Sequence, residues 1–255
     1  MKNKKSLGQH WLKDRFILDE IAALSAEGTT QARCLEIGPG LGTLTSALLR
    51  VYPEVISVEF DADLARKLPA SFPGKNLTVI TADFLTFDLS TVPAPYSVAA
   101  NIPYYITSPI IEKLLLADPK PEKITLLIQK EVADRIAKSG TKNSPLALFC
   151  ENYATVTLGD LVERSLFTPP PEIDSEIISF VPRATPLVEP EILAFARRAF
   201  QMPRKKLTAN LVRSEAISRE KALEWLQTAN LSPNARPEDL SLDDWKTLAI
   251  LAKKF

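Results

Sequence analysis

Apolar residues fall into short runs separated by polar turns, and the character of the runs changes near residue 183. Arg33-Cys34-Leu35-Glu36-Ile37 has the make-up of a short buried strand, and Gly38-Pro39-Gly40-Leu41-Gly42 follows at once. Leu44, Leu48 and Leu49 then recur at helical spacing. Residues 54–59 form the next strand, and Asp61 caps a helix carrying Leu64 and Leu68. Leu77-Thr78-Val79-Ile80-Thr81 reads as a third strand. The run Tyr96-Ser97-Val98-Ala99-Ala100 reads as a fourth, stopped at Pro103 because proline brings no N–H to a ladder. Ser108-Pro109 opens a helix with Ile110, Ile111, Leu114 and Leu115 on its core face, and residues 124–129 form strand five. Helices over 130–138 and from Ser144-Pro145 to Ala154 follow. Residues 156–162 and 173–181 then close the region as a strand pair joined across Phe167-Thr168-Pro169-Pro170-Pro171. Strand–helix alternation of this kind predicts an α/β fold, a twisted and mostly parallel sheet with an antiparallel edge. Ahead of it, His10-Trp11-Leu12 begins an ordered segment, and Phe16, Ile17, Ile21 and Leu24 are placed on one helix face.

Beyond Arg183 the period is helical throughout: Ile192, Phe195 and Ala199, then Leu207 and Leu211, then Leu223, Trp225 and Leu226, then Trp245, Leu248 and Leu251. This predicts two domains, residues 1–182 and a small all-helical domain over 183–255. The helical part holds Arg197, Arg198, Arg204, Lys205, Lys206 and Arg213, six cations with no acid between the first and the last. A solvated helix face is the usual source of such a run; a phosphate contact is the sharper reading. Residues 1–9 add a basic arm with Lys2, Lys4 and Lys5.

The 255 residues are 45% hydrophobic and 24% charged, and acids and bases balance at 31 each, so any nucleic-acid site must be a local patch. One histidine and the lack of a Cys-x-x-Cys pair exclude the usual zinc sites and disfavour a Ser-His-Asp triad, so no metal is expected. Cys34 and Cys150 lie in apolar surroundings and read as buried thiols of a reducing compartment. With no signal h-region and no apolar stretch of membrane-spanning length, the chain is expected to be a cytoplasmic protein with no membrane partner.

Candidate chemistry gathers at strand ends. Three of the eight glycines sit in the turn after Ile37, which implies close backbone approach to a ligand. Glu59 ends the next strand at the distance where an acid would meet a ribose diol. The pattern fits nicotinamide, flavin or adenosylmethionine, and Thr43 at the third-glycine position tilts it away from a dinucleotide. Asp83, just past the third strand, either caps a turn or accepts from an adenine amino group. Asn101 ends its strand with a side-chain carbonyl. Beside it, the Ile102 backbone carbonyl and the Tyr104 ring complete an acceptor pair next to an aromatic plate, as a nucleobase amino group requires.

Together these stretches resemble the bacterial small-subunit (16S) ribosomal RNA adenine N6-dimethyltransferases, the kasugamycin-sensitivity family. The resemblance rests on Leu7-Gly8-Gln9-His10-Trp11-Leu12-Lys13-Asp14, Leu35-Glu36-Ile37-Gly38-Pro39-Gly40-Leu41-Gly42, Asn101-Ile102-Pro103-Tyr104, Gln129-Lys130-Glu131-Val132 and Phe167-Thr168-Pro169-Pro170-Pro171-Glu172-Ile173-Asp174-Ser175. It implies the class I S-adenosylmethionine-dependent methyltransferase fold, Rossmann-like with a mostly parallel seven-stranded sheet, and a helical C-terminal RNA-binding domain. It also implies methyl transfer from S-adenosylmethionine to N6 of two adjacent adenosines in the 3′-terminal hairpin loop of 16S rRNA, within a small ribosomal subunit or its precursor, by a monomer. The family's cofactor positions fall on His10, Leu12, Gly38, Gly40, Glu59, Asp83 and Asn101. Asn101, Ile102, Tyr104 and, as a second plate, Phe167 would handle the target base, and Lys4, Lys5, Arg197, Arg198, Arg204, Lys205 and Lys206 the RNA. His10 stands where the family usually has Asn, and Tyr105 where Asn is common. The rival readings are a 23S rRNA adenine methylase of the macrolide-resistance type and a non-catalytic ribosome-assembly factor on the same scaffold.

Overall fold

The computed structural model describes residues 10–137, 142–202 and 204–252. The basic arm, with Lys4 and Lys5, lies outside the described residues. Contacts divide the chain into two compact units: one runs to Ala133 and resumes over Ala154–Pro182, and the other takes Asp134–Tyr153 and the chain from Arg183.

The first unit begins with a two-residue strand β1 (Trp11–Leu12) and helix α1 (Arg15–Ala26), whose N-cap Asp14 accepts from the Ile17 N–H. Alternation then gives β2 (Cys34–Ile37), α2 (Thr43–Val51), β3 (Val55–Glu59), α3 (Ala62–Lys67) and β4 (Leu77–Thr81). The chain continues through β5 (Ser97–Asn101), α4 (Thr107–Leu115), β6 (Ile124–Gln129) and the start of α5 (Lys130–Ala137). The central strands β2, β3, β5 and β6 are short and buried almost throughout, as strands covered on both faces are, whereas the edge strands β4 and β7 are partly exposed. Of the remaining helices, α6 (Pro145–Tyr153) precedes the last strands β7 (Ala154–Val162), β8 (Phe167–Thr168) and β9 (Ser175–Pro182).

Seven strands form one sheet in the order β4-β3-β2-β5-β6-β9-β7, parallel except that β9 runs antiparallel to both its neighbours. From β2 the chain steps outward through β3 to β4, then returns to the other side of β2 as β5. That reversal makes a topological switch between β2 and β5, and a crevice opens there at the strands' carboxyl ends. Gly38 follows β2 and Asn101 ends β5, so the two candidate motifs are brought side by side by strand order alone. A second, two-stranded sheet pairs Trp11 with Thr168 and Leu12 with Phe167, tying the entry segment to the triple-proline loop.

The core of this unit packs Leu18, Ile21 and Ala22 of α1 and Leu44 and Leu48 of α2 against Val55, Leu127 and Ile177 of the sheet. Phe16 does not join it: it is 87% exposed. The buried face of α1 is Leu18, Ile21, Ala22 and Ser25, and Phe16, two residues before Leu18, points about half a turn away.

In the second unit, α6 joins α7 (Pro190–Ala199), α8 (Leu207–Ser214), α9 (Arg219–Thr228) and α10 (Leu242–Ala252). Leu148, Ile192, Phe195, Leu207, Leu211, Trp225 and Trp245 form its core. Asn152, fully buried, fixes the start of α7 by accepting from the Val188 N–H and donating to the Val188 carbonyl.

Candidate active site

The cleft over the switch point is lined from four directions: His10, Trp11 and Leu12 of the entry segment, Glu36 to Gly40 at the end of β2, Glu59 and Phe60 at the end of β3, and Asp83 to Leu85 after β4. Asn101 to Ile106, at the end of β5, close it.

The glycine turn works by two different devices. Gly38 has φ +65°, its N–H donates to the Val58 carbonyl at 2.9 Å, and no atom lies within 4 Å of where a Cβ would stand. It leaves open space in the cleft wall. Gly42 has φ +82°, and a Cβ there would meet Leu68 Cδ1 at 2.6 Å, so that glycine serves packing. Thr43 then begins α2 directly.

Glu59 is 6% exposed, and its carboxylate is held by two peptide N–H groups: Gly40 donates to Oε2 at 3.0 Å and Asp61 to Oε1 at 2.8 Å. Each carboxylate oxygen accepts more than one bond, so capacity remains toward the cleft. Asp83 accepts from the Leu85 N–H at 2.9 Å, so the turn-capping interpretation holds, and the residue still lines the cleft. The loop beyond it is gripped by Lys113 of α4, whose ammonium donates to the carbonyls of Leu85 and Phe87 and lies 5.4 Å from the centre of the Phe84 ring. Burial depresses the Lys113 pKa, while Asp83 and Asp88 push it back up.

Asn101 has a defined amide orientation. Its Nδ2 donates to the His10 backbone carbonyl at 3.3 Å, and since a carbonyl only accepts, the amide oxygen is left without a partner among the described residues. The His10 ring in turn donates from Nδ1 to the Pro169 carbonyl at 2.8 Å. Ile102 is buried behind the cleft floor. The Tyr104 hydroxyl is hydrogen-bonded to Ser175 Oγ at 2.7 Å, which fixes its ring, and the His10 ring lies nearly parallel to it, 17° off and 6.1 Å away between centroids. Burial raises the Tyr104 phenol pKa.

Phe167 requires a correction. It was expected as a second plate for the base, but its side chain is 3% exposed, packs into the core beside Leu12 and does not line the cleft. The β1–β8 pairing turns it inward, and the ring that faces Tyr104 is His10. In the helical unit, Arg198 is committed to an ion pair with Glu215 at 3.1 Å and lies over the Phe195 ring, and Lys206 donates to Asn234 at 2.6 Å. Arg204 and Lys205 are exposed.

The sequence alone assigns no role to Glu36, Phe60, Tyr105, Lys113 and Ser175. Two left a signal: Glu36 is a carboxylate inside an apolar strand, and Phe60 is an aromatic directly after the strand-ending acid. Phe60 and Tyr105 are 63% and 67% exposed at the cleft rim.

Comparison with known proteins agrees with this geometry. The family model described as ribosomal RNA adenine dimethylase matches residues 1–254. The ribosomal RNA small subunit methyltransferase A of Acaryochloris marina is 40% identical, with 96% of each chain aligned, and that of Dehalococcoides mccartyi is 35% identical over 98% of this chain and 88% of that protein. Among solved structures, the 23S rRNA methyltransferase ErmE superposes with a TM-score of 0.74 at 30% identity over 95% of this chain and 99% of that one. A dimethyladenosine transferase from Plasmodium falciparum gives the same TM-score at 27% identity, over 96% and 98%. The fold is therefore the class I methyltransferase fold, α/β as expected, and the chain belongs to the ribosomal RNA adenine dimethylase family.

Proposed function

We propose that this enzyme uses S-adenosylmethionine to dimethylate N6 of two adjacent adenosines in the 3′-terminal hairpin loop of small-subunit rRNA. The residues present fit such a cofactor: open space over Gly38, a carboxylate at each of two strand ends, and a buried acceptor on Glu36 that lacks a donor. Glu59 would hold the ribose hydroxyls and Asp83 the adenine amino group, with His10, Leu12, Gly38 and Gly40 enclosing the amino-acid end. The cofactor supplies a methyl group activated on a sulfonium centre.

The observation that carries the reading is the pinned Asn101 amide. An adenine N6 lone pair is delocalised into the ring, which makes it a poor nucleophile. Hydrogen bonds from N6 to Asn101 Oδ1 and to the Ile102 backbone carbonyl draw the nitrogen toward a pyramidal geometry and aim its lone pair. Because Nδ2 is tied to the His10 carbonyl, Oδ1 is pre-set as an acceptor and needs no reorganisation. Positioning of this kind supplies up to ~7–11 kcal/mol in well-oriented systems. Tyr104, braced by Ser175, stacks on the extruded base, whose removal from a single-stranded loop costs least. Arg204 and Lys205, with the neighbouring Lys206, bind the RNA backbone.

The identities of 35–40% to small-subunit enzymes, against 30% to the 23S enzyme, favour the small-subunit target. Asn101→Ala is expected to retain cofactor affinity within a few fold by calorimetry while losing methyl transfer by at least about a hundredfold. Transfer at the wild-type rate in that variant refutes the assigned role.

A further inference from the structure

Lys113 takes no part in the roles above, although its ammonium stands behind the loop that follows β4. That loop is a turn closed largely on itself. Asp83 accepts from the Leu85 N–H at 2.9 Å through its carboxylate, and its carbonyl accepts from the Phe87 N–H at 2.9 Å and the Thr86 hydroxyl at 3.2 Å. Such a turn keeps its own shape, but where it stands against the cleft depends on what ties it to other elements. At its start the Ala82 N–H donates to the Glu59 carbonyl at 3.0 Å, and the Phe84 side chain is buried. Its far end is held by Lys113, which donates to the Leu85 carbonyl at 2.9 Å and to the Phe87 carbonyl, with the Phe84 ring centre 5.4 Å away.

The lysine has a firm base. Helix α4 buries Ile110, Ile111, Leu114 and Leu115 against the core, so the backbone at residue 113 is fixed. Leu85 is exposed, and water could serve its carbonyl equally well. What a lysine adds to the loop is a set position, and two carbonyls converging on one cation define it. The path to the cleft is short: the ammonium holds the Leu85 carbonyl, and the N–H of the same residue holds the Asp83 carboxylate. Each carboxylate oxygen keeps accepting capacity beyond that one bond.

On the cofactor reading, Asp83 meets the donor's purine at C6, where position decides identity. An amino group there donates to a carboxylate. The oxo group of a hypoxanthine would set oxygen against oxygen, yet its N1–H lies only one ring position away. A carboxylate free to shift by that distance would accept both purines. We propose that Lys113 is the positioning residue for purine selection: by holding Leu85 and Phe87 it keeps the Asp83 carboxylate opposite the C6 substituent, so that an adenosyl ligand is taken and its 6-oxo counterpart is refused. The inference rests on the cofactor reading above.

The test is isothermal titration of the full chain with S-adenosylhomocysteine and S-inosylhomocysteine, which differ only in the purine. The wild-type chain should prefer the adenosyl ligand by ~10–100-fold, the worth of one hydrogen bond to a charged group. Lys113→Met keeps the length of the side chain without its donors, and should narrow that preference at least about fivefold. Asp83→Asn, whose amide can offer either a donor or an acceptor, should remove most of the preference, and Lys113→Met added to it should narrow it no further. A preference kept in full by Lys113→Met overturns the proposal. So does an equal weakening of both ligands, which is what a brace serving only the stability of the loop would give. If Lys113→Met fails to fold by circular dichroism, Lys113→Gln is measured in its place, with the same narrowing expected. Equal affinity of the wild-type chain for the two ligands overturns this inference and leaves the cofactor reading standing; absence of binding heat with S-adenosylhomocysteine contradicts that reading itself.

Discussion

Gly38 and Gly42 share one turn and one sign of φ, yet a methyl group added at each meets different surroundings. At Gly42 it would strike Leu68 and Phe72 at 2.6 and 2.9 Å, in a backbone conformation that L-residues disfavour. Gly42→Ala is therefore expected to lower unfolding free energy by ~2–4 kcal/mol, read as a shift of the urea midpoint. Gly38→Ala meets open space, so its stability cost is only the left-handed strain of ~1–2 kcal/mol. Its methyl group projects toward the ligand, and S-adenosylmethionine affinity should fall at least tenfold. The reverse ranking of the two variants would show that Gly38 serves packing and leave the cofactor without its cradle. On the proposed function the same separation of roles applies to Asn101: its nitrogen is tied to the His10 carbonyl, and its oxygen is the group offered to the base.

At the scale of elements, the turn between α7 and α8 presents the cations. Asn210 of α8, 1% exposed, organises it by accepting from the Met202 N–H and donating to the carbonyls of Met202, Lys205 and Lys206. Arg204 and Lys205 stand exposed on that turn, whereas Arg198 is occupied by Glu215. Reversing Arg204, Lys205 and Lys206 to Glu should weaken rRNA binding and reduce the slope of log affinity against log salt by ~2–3, whereas Arg198→Ala should leave that slope nearly unchanged. Equal effects from both would mean that the run acts as a diffuse field and not as a turn-borne contact. The run itself was legible in the sequence; the division of its members between structure and surface was not, since it depends on which cation the folded helices bring to Glu215 and which to Asn234, 17 and 28 residues from their partners. The β1–β8 pairing escaped notice for a related reason. A two-residue ladder has no periodicity to detect, and its effect, turning Phe167 inward and setting His10 opposite Tyr104, comes from contacts more than 150 residues apart.

For the molecule as a whole, the parallel sheet was legible because strands covered on both faces read as unbroken apolar runs, and each motif then falls at a strand's carboxyl end by the strand order. Glu36 is where that pattern breaks: a carboxylate stands buried inside an apolar strand, at the wall of the cleft. It also makes stability depend on pH. Its folded pKa, about 7, stands above the usual 4.5, so the folded chain keeps a proton that the unfolded chain releases. The resulting stability is fully present below about pH 4.5 and is lost as pH rises through about 7, a change of ~3 kcal/mol at most. The difference in urea-unfolding free energy between wild type and Glu36→Gln should drift by that amount between pH 4.5 and pH 8 and then level off; a constant difference would place the carboxyl outside its buried setting. On the proposed function, the pinned Asn101 acceptor presents a ribosomal adenine N6 to a methyl donor in the cleft over β2 and β5. The most direct measurement is incubation of the full chain with methyl-labelled S-adenosylmethionine and unmethylated small or large ribosomal subunits, followed by mapping of the label. Label on N6 of two adjacent adenosines of the small-subunit rRNA, absent with Asn101→Ala, is the predicted result; label on large-subunit rRNA, or on neither, would contradict the account.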